Sequence, residues 1–341
     1  MSSVKVNINM EPPVRCYQMY AYPLSIIFTN VEKALPWFYS NFINLKICVH
    51  NTGGFEFMDL RYIQPRYELC EIYDSHNISQ DVLKKGYIGD LHRLLKEALD
   101  DGYAVSLIVD EFYVCDRIRY QKEHKRHQIL VCGYNDIEKK YDVVGYDSNY
   151  TYAQTRIDFS ILEEAFYRYE IIDNNQDIVI LMRKRDSDKK ACINTSLLQK
   201  EVKEYLNSTS TLCPEVAQYC YMKEFKFGLE VFGIIKKFIS LPDYNLVNYP
   251  LFYMIHEHKT NFYYRMDYVQ RELRLDLRKE INSYNDVKIK SKYILSTFLK
   301  YMLCNNSERK LELSSKLTDN ITEMVQCEEL ILHEFLNKIC D

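Results

Sequence analysis

A histidine and an aspartate at the two ends of one predicted hairpin are the side chains whose types and spacing best suit chemistry. His127 begins, and Asp147 ends, the segment HQILVCGYNDIEKKYDVVGYD. Strand-forming residues flank the polar stretch 135–140, which has turn chemistry, so a β-hairpin is predicted. A turn centred near Ile137 places His127 opposite Asp147, close enough to form a hydrogen bond. An imidazole oriented by a carboxylate is the general-base part of a nucleophilic triad.

The nucleophile for this pair is predicted to be Cys16. Pro12 and Pro13 favour an extended chain before it, and an apolar stretch with helical spacing begins at Tyr17. A cysteine at a helix N-terminus lies beside unpaired N–H groups and the positive end of the helix dipole, which stabilise a thiolate and hold an oxyanion. Pro23 is expected to kink or shorten this helix. The order Cys, His, Asp, with a long gap after the cysteine, is typical of papain-like enzymes.

Each residue of this triad also has an ordinary structural explanation. One of 11 cysteines near a helix start is unsurprising, and a histidine on a strand often serves the fold alone. Asp147 stands in Tyr-Asp-Ser-Asn, a context typical of turns. His124, in the basic run KEHKRH, replaces His127 as the base if the hairpin register shifts. The joint arrangement, rather than any single residue, favours the triad.

A wider pattern of residues surrounds the hairpin in the segment 110–166. It consists of an aspartate followed by aromatic residues, then a tyrosine and a histidine, then the hairpin histidine with a Gly-Tyr pair and a later aspartate: Asp110, Phe112, Tyr113, Tyr120, His124, His127, Gly133, Tyr134 and Asp147. With Cys16 as the N-terminal cysteine, this pattern resembles the butirosin-type acyltransferase family. The resemblance covers the part of the chain up to about residue 185.

The resemblance implies a papain-like fold, related to peptidases that cleave after a double glycine. It also implies an enzyme that moves an acyl group from a carrier-protein thioester onto a small amine; a relative of similar size forms amide bonds on carrier proteins in closthioamide assembly. The implied catalytic residues are Cys16, His127 and Asp147, and the implied substrate-binding residues are Asp110, Tyr113, His124 and Gln18. The partner is an acyl or peptidyl carrier protein, whose phosphopantetheine is the only prosthetic group implied, and the setting is antibiotic or nonribosomal peptide biosynthesis.

The chain departs from the peptidase relatives just before the cysteine. Those relatives carry a glutamine several residues before it, where this chain reads Asn7, Ile8, Asn9, Met10. The second donor of the oxyanion hole is therefore unassigned, and Asn9 and Gln18 are the candidates. A cysteine peptidase is the alternative enzyme, because hydrolytic and aminolytic triads look alike in sequence. A non-catalytic module that binds carrier proteins is the alternative outside catalysis.

Composition argues against several other classes of function. The net charge of −4 gives no electrostatic footprint for nucleic acid, and the 9 glycines form no phosphate-binding or dinucleotide-binding motif. His256 and His258 flank Glu257 and share one face of a strand, but no third ligand can be assigned, so no metal is predicted. The cysteines form no CxxC pair, and no apolar run has the length of a signal peptide core or a membrane span. A cytoplasmic protein with free thiols and no membrane partner is expected.

Apolar patterns predict an α+β catalytic domain over residues 1–185, followed by a mostly helical domain over 196–341. A leading helix followed by a mostly antiparallel sheet is expected of a papain-like domain. Helices are predicted at 17–40, 88–101 and 158–168, and strands at 42–49, 55–60, 66–73, 103–110, 127–134, 141–147 and 177–183. The second domain is predicted to be helical almost throughout, apart from an aromatic interruption at 241–262.

Overall fold

The chain divides into two compact units. The computed structural model describes residues 3–52, 55–63, 66–86, 90–168, 178–188, 191–211, 222–240 and 249–340. One unit consists of Met1–Ala34 and Tyr67–Lys189, and the other of Leu35–Arg66 and Lys190–Asp341. The domain boundary predicted near residue 185 lies close to the third point at which the chain passes from one unit to the other, between residues 189 and 190. Residues 35–66, which the prediction assigned to the first domain, group with the C-terminal region.

Helices and strands alternate in the first part of the chain, and helices dominate its last part. In chain order the elements are β1 (Ser3–Lys5), α1 (Gln18–Ile27), α2 (Val31–Asn41), β2 (Leu45–Thr52), β3 (Phe55–Tyr62), β4 (Tyr73–Ser79), α3 (Gln80–Gly86), α4 (Leu91–Asp100), β5 (Ala104–Asp110), β6 (Arg126–Asn135), β7 (Lys140–Tyr146), β8 (Tyr152–Asp158), α5 (Phe159–Tyr167), β9 (Ile178–Lys184), α6 (Thr195–Leu206), β10 (Met222–Phe227), α7 (Val231–Ile239), α8 (Tyr249–Leu273), α9 (Arg278–Leu303) and α10 (Ser307–Cys340). A short 3₁₀ turn, Glu111–Tyr113, follows β5. The predicted α+β class and helical C-terminal region are confirmed.

The first unit is built on a seven-stranded antiparallel sheet. Its strands follow the order β4, β9, β5, β6, β7, β8, and β1 pairs with the end of β6. Strand β5 is buried along its whole length, as expected for a central strand with both faces covered. Helices α4 and α5 pack on one face, where Leu95, Leu107, Val131 and Phe166 belong to one buried apolar cluster.

Helix α4 shows how local sequence fixes these elements. Four of its apolar residues recur at helical spacing and are buried: Leu91, Leu95, Ala98 and Leu99. The helix starts at Asp90, whose side chain accepts a 2.7 Å hydrogen bond from the Arg93 N–H. It ends before Gly102, whose φ of +81° suits glycine, and the Tyr103 N–H returns to the main-chain oxygen of Ala98 at 2.8 Å. Strand β5 then begins at once.

Several boundaries in the first part of the chain differ from the sequence predictions. The single helix predicted over 17–40 is two helices, α1 and α2, because the Asn30 side chain accepts from the Lys33 N–H and starts a new helix. The strand predicted at 66–73 lies later, in β4, and is preceded by a 3₁₀ turn at Tyr67–Leu69. Helix α3 and strands β1 and β8 were not predicted. Residue 177, where a strand was predicted to start, lies outside the described residues.

The second unit combines a small sheet with the C-terminal helices. Strand β2 pairs with β3 on one side and with β10 on the other, so these strands form a separate three-stranded sheet instead of belonging to the one antiparallel sheet expected for the first domain. The aromatic interruption predicted at 241–262 is wrong from residue 249 onwards, because α8 begins at Tyr249; residues 241–248 lie outside the described part. Within the described ranges, no helix is both long enough and apolar enough to cross a membrane.

A buried polar network lies inside the second unit. Lys259 and Glu328, whose side chains are fully buried, form an ion pair at 2.6 Å. The hydroxyls of Tyr205 and Tyr284 donate to the two oxygens of the same carboxylate, at 3.0 and 2.5 Å. Burial lowers the pKa of Lys259, and the Glu328 carboxylate opposes this change. The network satisfies its charged groups by hydrogen bonds, as buried charges require.

Candidate active site

Cys16 lies just before helix α1, which begins at Gln18. The residue is buried, with 8% of its surface exposed. The N-cap residue, Tyr17, has an extended backbone and forms no side-chain cap hydrogen bond. Its side chain therefore does not cap the first turn, whereas its main-chain oxygen accepts from the Tyr20 and Ala21 N–H groups at 3.0 and 2.9 Å. The structure places Cys16 at the positive end of a helix dipole.

Helix α1 is tied to the strand that carries His127. The Gln18 side chain donates from Nε2 to the main-chain oxygen of Gln128 at 2.8 Å. The Tyr22 hydroxyl lies 3.1 Å from the same oxygen and 3.0 Å from the main-chain oxygen of Val144. Because Gln128 directly follows His127, these bonds bring the N-terminal end of α1 to the start of β6. The two predicted reactive segments, more than a hundred residues apart in sequence, are therefore neighbours.

The two strands of the predicted hairpin separate where Tyr22 enters. Strands β6 and β7 pair as far as Leu130 and Val144, which confirms the hairpin. Beyond that point the Tyr22 hydroxyl lies between the strands, and the Arg117 guanidinium donates to the main-chain oxygen of Tyr146 at 3.0 Å. Burial raises the pKa of Tyr22 well above its ordinary value, so the hydroxyl keeps its proton. Side chains thus replace the strand-to-strand hydrogen bonds at the end of the hairpin.

The hydrogen-bond partner of His127 is Glu111. His127 Nδ1 and Glu111 Oε1 lie 2.5 Å apart. The carboxylate side chain is 8% exposed and the imidazole 41%. Since a carboxylate accepts, Nδ1 carries the proton, and Nε2 is the nitrogen that can take or give one. A buried acid that fixes the tautomer and orientation of a half-exposed imidazole is the general-base arrangement of nucleophilic triads.

Asp147 holds a turn instead. Its Oδ1 accepts hydrogen bonds from the Asn149 and Thr151 N–H groups, both at 2.8 Å. Its own N–H donates to the main-chain oxygen of Thr151 at 2.9 Å. The pairing of His127 with Asp147 expected from the hairpin register is therefore replaced by pairing with Glu111. The reason is the separation of β6 and β7, which ends the register before it reaches either residue.

Glu111 is the residue that sequence reasoning missed, although a signal for it was present. It follows the buried strand β5 within the dipeptide Asp110-Glu111. Strand β5 pairs antiparallel with β6, and Val109 lies opposite His127. Acids at the end of one antiparallel strand lie beside the first residues of its neighbour. Pairing β5 with β6, rather than extending β6 against β7, locates the carboxylate.

A second histidine–carboxylate pair lies beside the first in sequence. His124 Nδ1 and Asp110 Oδ2 are 2.6 Å apart, and the histidine side chain is 65% exposed. The imidazole stacks on the Phe112 ring, with centroids 4.2 Å apart. The Tyr113 ring lies 6.0 Å from the imidazole. Three of the four residues predicted to bind substrate, Asp110, Tyr113 and His124, therefore form one cluster.

The two candidates for a second oxyanion donor both hold main-chain groups. Asn9 donates from Nδ2 to the main-chain oxygen of Phe28 at 3.0 Å and accepts from the Glu11 N–H at 2.7 Å. These bonds fix the segment before the cysteine against the end of α1. Gln18, predicted to bind substrate, joins α1 to Gln128 and is 8% exposed. Each side chain thus positions the site through the backbone.

Arg117 brings a buried positive charge to the opening between β6 and β7. The residue is 4% exposed, and its Nη2 has no hydrogen-bond partner among the described residues. A Cβ atom on Gly145 would lie 3.0 Å from this nitrogen and 3.3 Å from the Tyr22 hydroxyl, so glycine makes room for both. The charge of Arg117 lowers, and that of Glu111 raises, the pKa of Tyr22. Both charges therefore act on one buried hydroxyl.

The other described cysteines differ from one another in burial and in the pKa of the thiol. The nine cysteines in the described ranges are free thiols. Burial raises the pKa of Cys70 and of Cys132 to about 12, and it also raises the pKa of the partly exposed Cys115. Cys192 is exposed. A buried thiol with a raised pKa is a poor nucleophile, because the thiolate is the reactive form.

The histidines considered as metal ligands serve the packing of the second unit. Both lie on helix α8 rather than on a strand, and two positions apart on a helix they point in different directions. His256 Nδ1 lies 2.9 Å from the Ser291 hydroxyl, and His258 Nε2 donates to the main-chain oxygen of Ile43 at 2.7 Å. Burial lowers the pKa of both. Across the described residues, no group of three His, Cys, Asp or Glu side chains is placed to hold a metal.

No model of a protein family matches the sequence, and no curated protein matches it. Cys16, Glu111 and His127 are therefore the residues whose geometry bears on function.

Proposed function

We propose that this protein is a papain-like thiol acyltransferase that forms an amide by moving an acyl group from a carrier-protein thioester to an amine. One observation carries the proposal. A half-exposed His127 is held through Nδ1 by the buried Glu111, at the strand end to which the Cys16 helix is tied. Nucleophilic acyl transfer needs a general base, an acid that orients the base, and a nucleophile such as a thiol at a helix N-terminus.

Each of the three side chains has one role in the proposed reaction. His127 Nε2 takes the proton of the Cys16 thiol, the resulting thiolate attacks the carbonyl carbon of the thioester, and the first N–H groups of α1 stabilise the oxyanion. The carbon–sulfur bond to the carrier breaks, and the carrier thiolate takes the proton held on His127 Nε2. The amine then attacks the acyl-Cys16 carbonyl and gives its proton to His127. Cys16 leaves as thiolate, and the amide is released.

Glu111 stabilises both charge states of this histidine. Its carboxylate accepts from Nδ1 while the ring is neutral, and it attracts the imidazolium that forms when Nε2 takes a proton. Because the carboxylate is buried and the ring half-exposed, the pair is rigid on one side and open to substrate on the other. Glu111 takes the role that the sequence assigned to Asp147.

The choice of a transferase over a peptidase depends on the residue pattern that resembles the butirosin-type family. Asp110, Tyr113 and His124 of that pattern form one cluster. In the sequence, each of them lies within three residues of Glu111 or His127. An exposed histidine stacked on an aromatic ring beside a base suits binding of an amine acceptor. The free thiols among the described cysteines fit a reducing compartment, and we propose the cytoplasm.

Intact-mass measurement tests the proposal. The protein is mixed with carrier proteins loaded with short and long acyl groups, and its mass is followed before and after a primary amine is added. We expect an acyl adduct on Cys16 that the amine discharges to an amide. Cys16→Ser should give no thioester adduct, whereas Cys192→Ser should behave as the parent protein because it changes an exposed thiol elsewhere.

The alternatives give different results in the same experiment. Cleavage of peptides without any adduct from an acyl carrier favours a cysteine peptidase. A stable complex with the carrier protein, without adduct or cleavage, favours a non-catalytic binding module. If neither the adduct nor a Cys16-dependent reaction of any kind forms, the proposal is wrong.

A further inference from the structure

The Asp110 side chain accepts hydrogen bonds from both chain segments of the candidate active site. Its Oδ1 accepts from the Phe112 N–H and the Lys125 N–H, each at 3.1 Å. Its Oδ2 accepts from His124 Nδ1 at 2.6 Å. The carboxylate side chain is 8% exposed, so most of its hydrogen bonding is to the protein. A buried carboxylate with three N–H partners is strongly fixed.

These partners surround the Glu111–His127 pair on both sides. Phe112 directly follows Glu111, and Lys125 lies two residues before His127. The Glu111 N–H also donates to the main-chain oxygen of Lys125 at 2.9 Å. Hydrogen bonds therefore join the segment that carries Glu111 to the segment that carries His127, at positions no more than two residues from either side chain.

Capping of the short 3₁₀ turn accounts for only part of this arrangement. An aspartate before such a turn commonly accepts from the N–H two residues on, as Asp110 does from Phe112. The bonds from Lys125 and His124 come from positions 15 and 14 residues away along the chain. A turn cap does not need them, whereas the alignment of two separate segments does.

We propose that Asp110 is a positioning residue, which aligns Glu111 with His127 by joining their two segments through Oδ1. His124 occupies the other oxygen and keeps the carboxylate from rotating. The role of Asp110 in catalysis rests on the proposed function, but its effect on His127 does not, because the state of the imidazole can be measured without any substrate.

Nitrogen NMR of the histidine rings gives that measurement. Two-bond proton–nitrogen correlation spectra of protein with labelled histidine report which ring nitrogen carries the proton. In the parent protein, His127 should be the Nδ1–H tautomer, as its bond to Glu111 requires. Asp110→Ala should abolish this preference. Asp110→Asn retains an oxygen at Oδ1, so His127 should stay Nδ1–H while His124, now facing an amide N–H, becomes the Nε2–H tautomer.

The pH dependence of Cys16 alkylation by iodoacetamide provides the second readout. A thiol paired with an oriented imidazole reacts at pH 6, where ordinary thiols are protonated. Asp110→Ala should lower the Cys16 rate at pH 6 about ten- to hundredfold, the loss expected from a displacement of about 1 Å in a catalytic group. Asp110→Asn and His124→Ala should each lower the rate less than Asp110→Ala does, because both keep the Oδ1 bonds.

Two further variants separate positioning from general damage. Asp90→Ala removes another carboxylate that accepts from a main-chain N–H in the same unit, and it should leave the His127 tautomer unchanged. Lys125→Pro removes one N–H donor to Asp110 Oδ1 and should give the same histidine spectrum as Asp110→Ala. It tests the inference if Asp110→Ala does not fold. An unchanged His127 tautomer in both variants overturns the inference, as does a larger effect of His124→Ala than of Asp110→Ala. If the NMR result holds but Cys16 in the parent protein reacts no faster than Cys192, the positioning stands and the proposed function fails.

Discussion

Two histidines beside charged groups, one in each unit, differ in what surrounds their ring nitrogens. His258 is 1% exposed, and both nitrogens are bonded: Nε2 donates to the main-chain oxygen of Ile43, and Nδ1 accepts from Lys259 at 3.2 Å. His127 is half-exposed, and within the described part of the chain its bond is made by Nδ1, towards Glu111. The first ring has no nitrogen left for a substrate, and the second ring has one.

The charged groups next to these rings show the same difference. Glu328 accepts hydrogen bonds from Lys259, Tyr205 and Tyr284. The side chains of Glu328 and Lys259 have no surface exposed to solvent. Such a network specifies packing, and removing one member leaves an unpaired buried charge. Glu111 has its carboxylate buried but its histidine at the surface. A buried ion pair thus serves stability in one unit, and a histidine–carboxylate hydrogen bond of similar length serves, as we propose, proton transfer in the other.

The largest expected effect comes from Glu111→Gln. Gln can donate as well as accept, so the Nδ1–H tautomer of His127 loses its preference, and Cys16-dependent acyl transfer should fall about 10²- to 10⁴-fold. Thermal stability should change little, because the imidazole is at the surface. Single-turnover formation of the Cys16 adduct measures the loss. Asp147→Asn is the matched comparison and should stay within about threefold of the parent, since Asp147 binds only turn amides among the contacts seen. A larger loss for Asp147→Asn than for Glu111→Gln would return the orienting role to Asp147.

Glu328→Ala should differ from Glu111→Gln in that its large effect is on stability. It leaves Lys259 buried without its counter-ion, and the free energy of unfolding of the second unit should drop by about 3–5 kcal/mol. Chemical denaturation followed by tyrosine fluorescence measures this change. A Lys259→Met, Glu328→Leu double variant should recover most of the loss, because it removes both charges together. A loss below about 1 kcal/mol in the single variant would show that the network is exposed to solvent.

The pH dependence of stability should reveal Glu201, a buried acid of the second unit. Burial, followed by repulsion from Glu204, raises the pKa of Glu201 to about 7. The folded form therefore binds the proton more tightly than the unfolded chain, whose pKa is near 4.5. The contribution of this proton binding to the free energy of unfolding is present in full below pH 4.5 and is lost as pH rises through 7. The loss amounts to up to about 3 kcal/mol. Glu201→Gln should remove this slope, and denaturation curves at several pH values measure it; parallel slopes for the variant and the parent would contradict the assignment.

The smallest effect is expected from Gly145→Ala. The added methyl group would lie 3.0 Å from Arg117 Nη2 and 3.3 Å from the Tyr22 hydroxyl, so both must move. We expect a loss of about 1–2 kcal/mol in stability and a measurable decrease in Cys16 reactivity, because Tyr22 ties α1 to β6. Gly233→Ala is the control, since nothing lies within 4 Å of its Cβ position, and it should be neutral or slightly stabilising. Equal effects of the two substitutions would argue against a role for the Tyr22 contact.

Sequence periodicity located most elements of the first unit because each has a local cause. Strand β5 is a continuous apolar run, and α4 has its cap, its apolar spacing and its terminating glycine within a dozen residues. The second sheet could not be predicted in this way. The third strand of that sheet is β10, which pairs with β2 and comes from a region predicted to be helical. No local pattern states which distant strand completes a sheet.

The candidate site shows the same limit at the level of single residues. Cys16 and His127 could be selected by type, because few side chains act as nucleophile or base. Their orienting acid could not, since the choice between Asp147 and Glu111 depends on where a ladder of hydrogen bonds stops. That point is set by the Tyr22 hydroxyl and Arg117, which come from other parts of the chain. A side chain that enters a sheet from outside leaves no trace in the pattern of the strands it separates.

The Tyr22 contact also has a consequence for the order of folding. The hairpin of β6 and β7 is local, whereas the bonds from α1 to Gln128 and Val144 close loops of 106 to 122 residues. Closing a loop of that length costs about 4 kcal/mol of chain entropy, which local contacts do not offset. We therefore expect His127 and Glu111 to meet early and Cys16 to join them late. A nascent or partly unfolded chain then carries an assembled base without its thiol, and nucleophilic reactivity arises only when folding is complete.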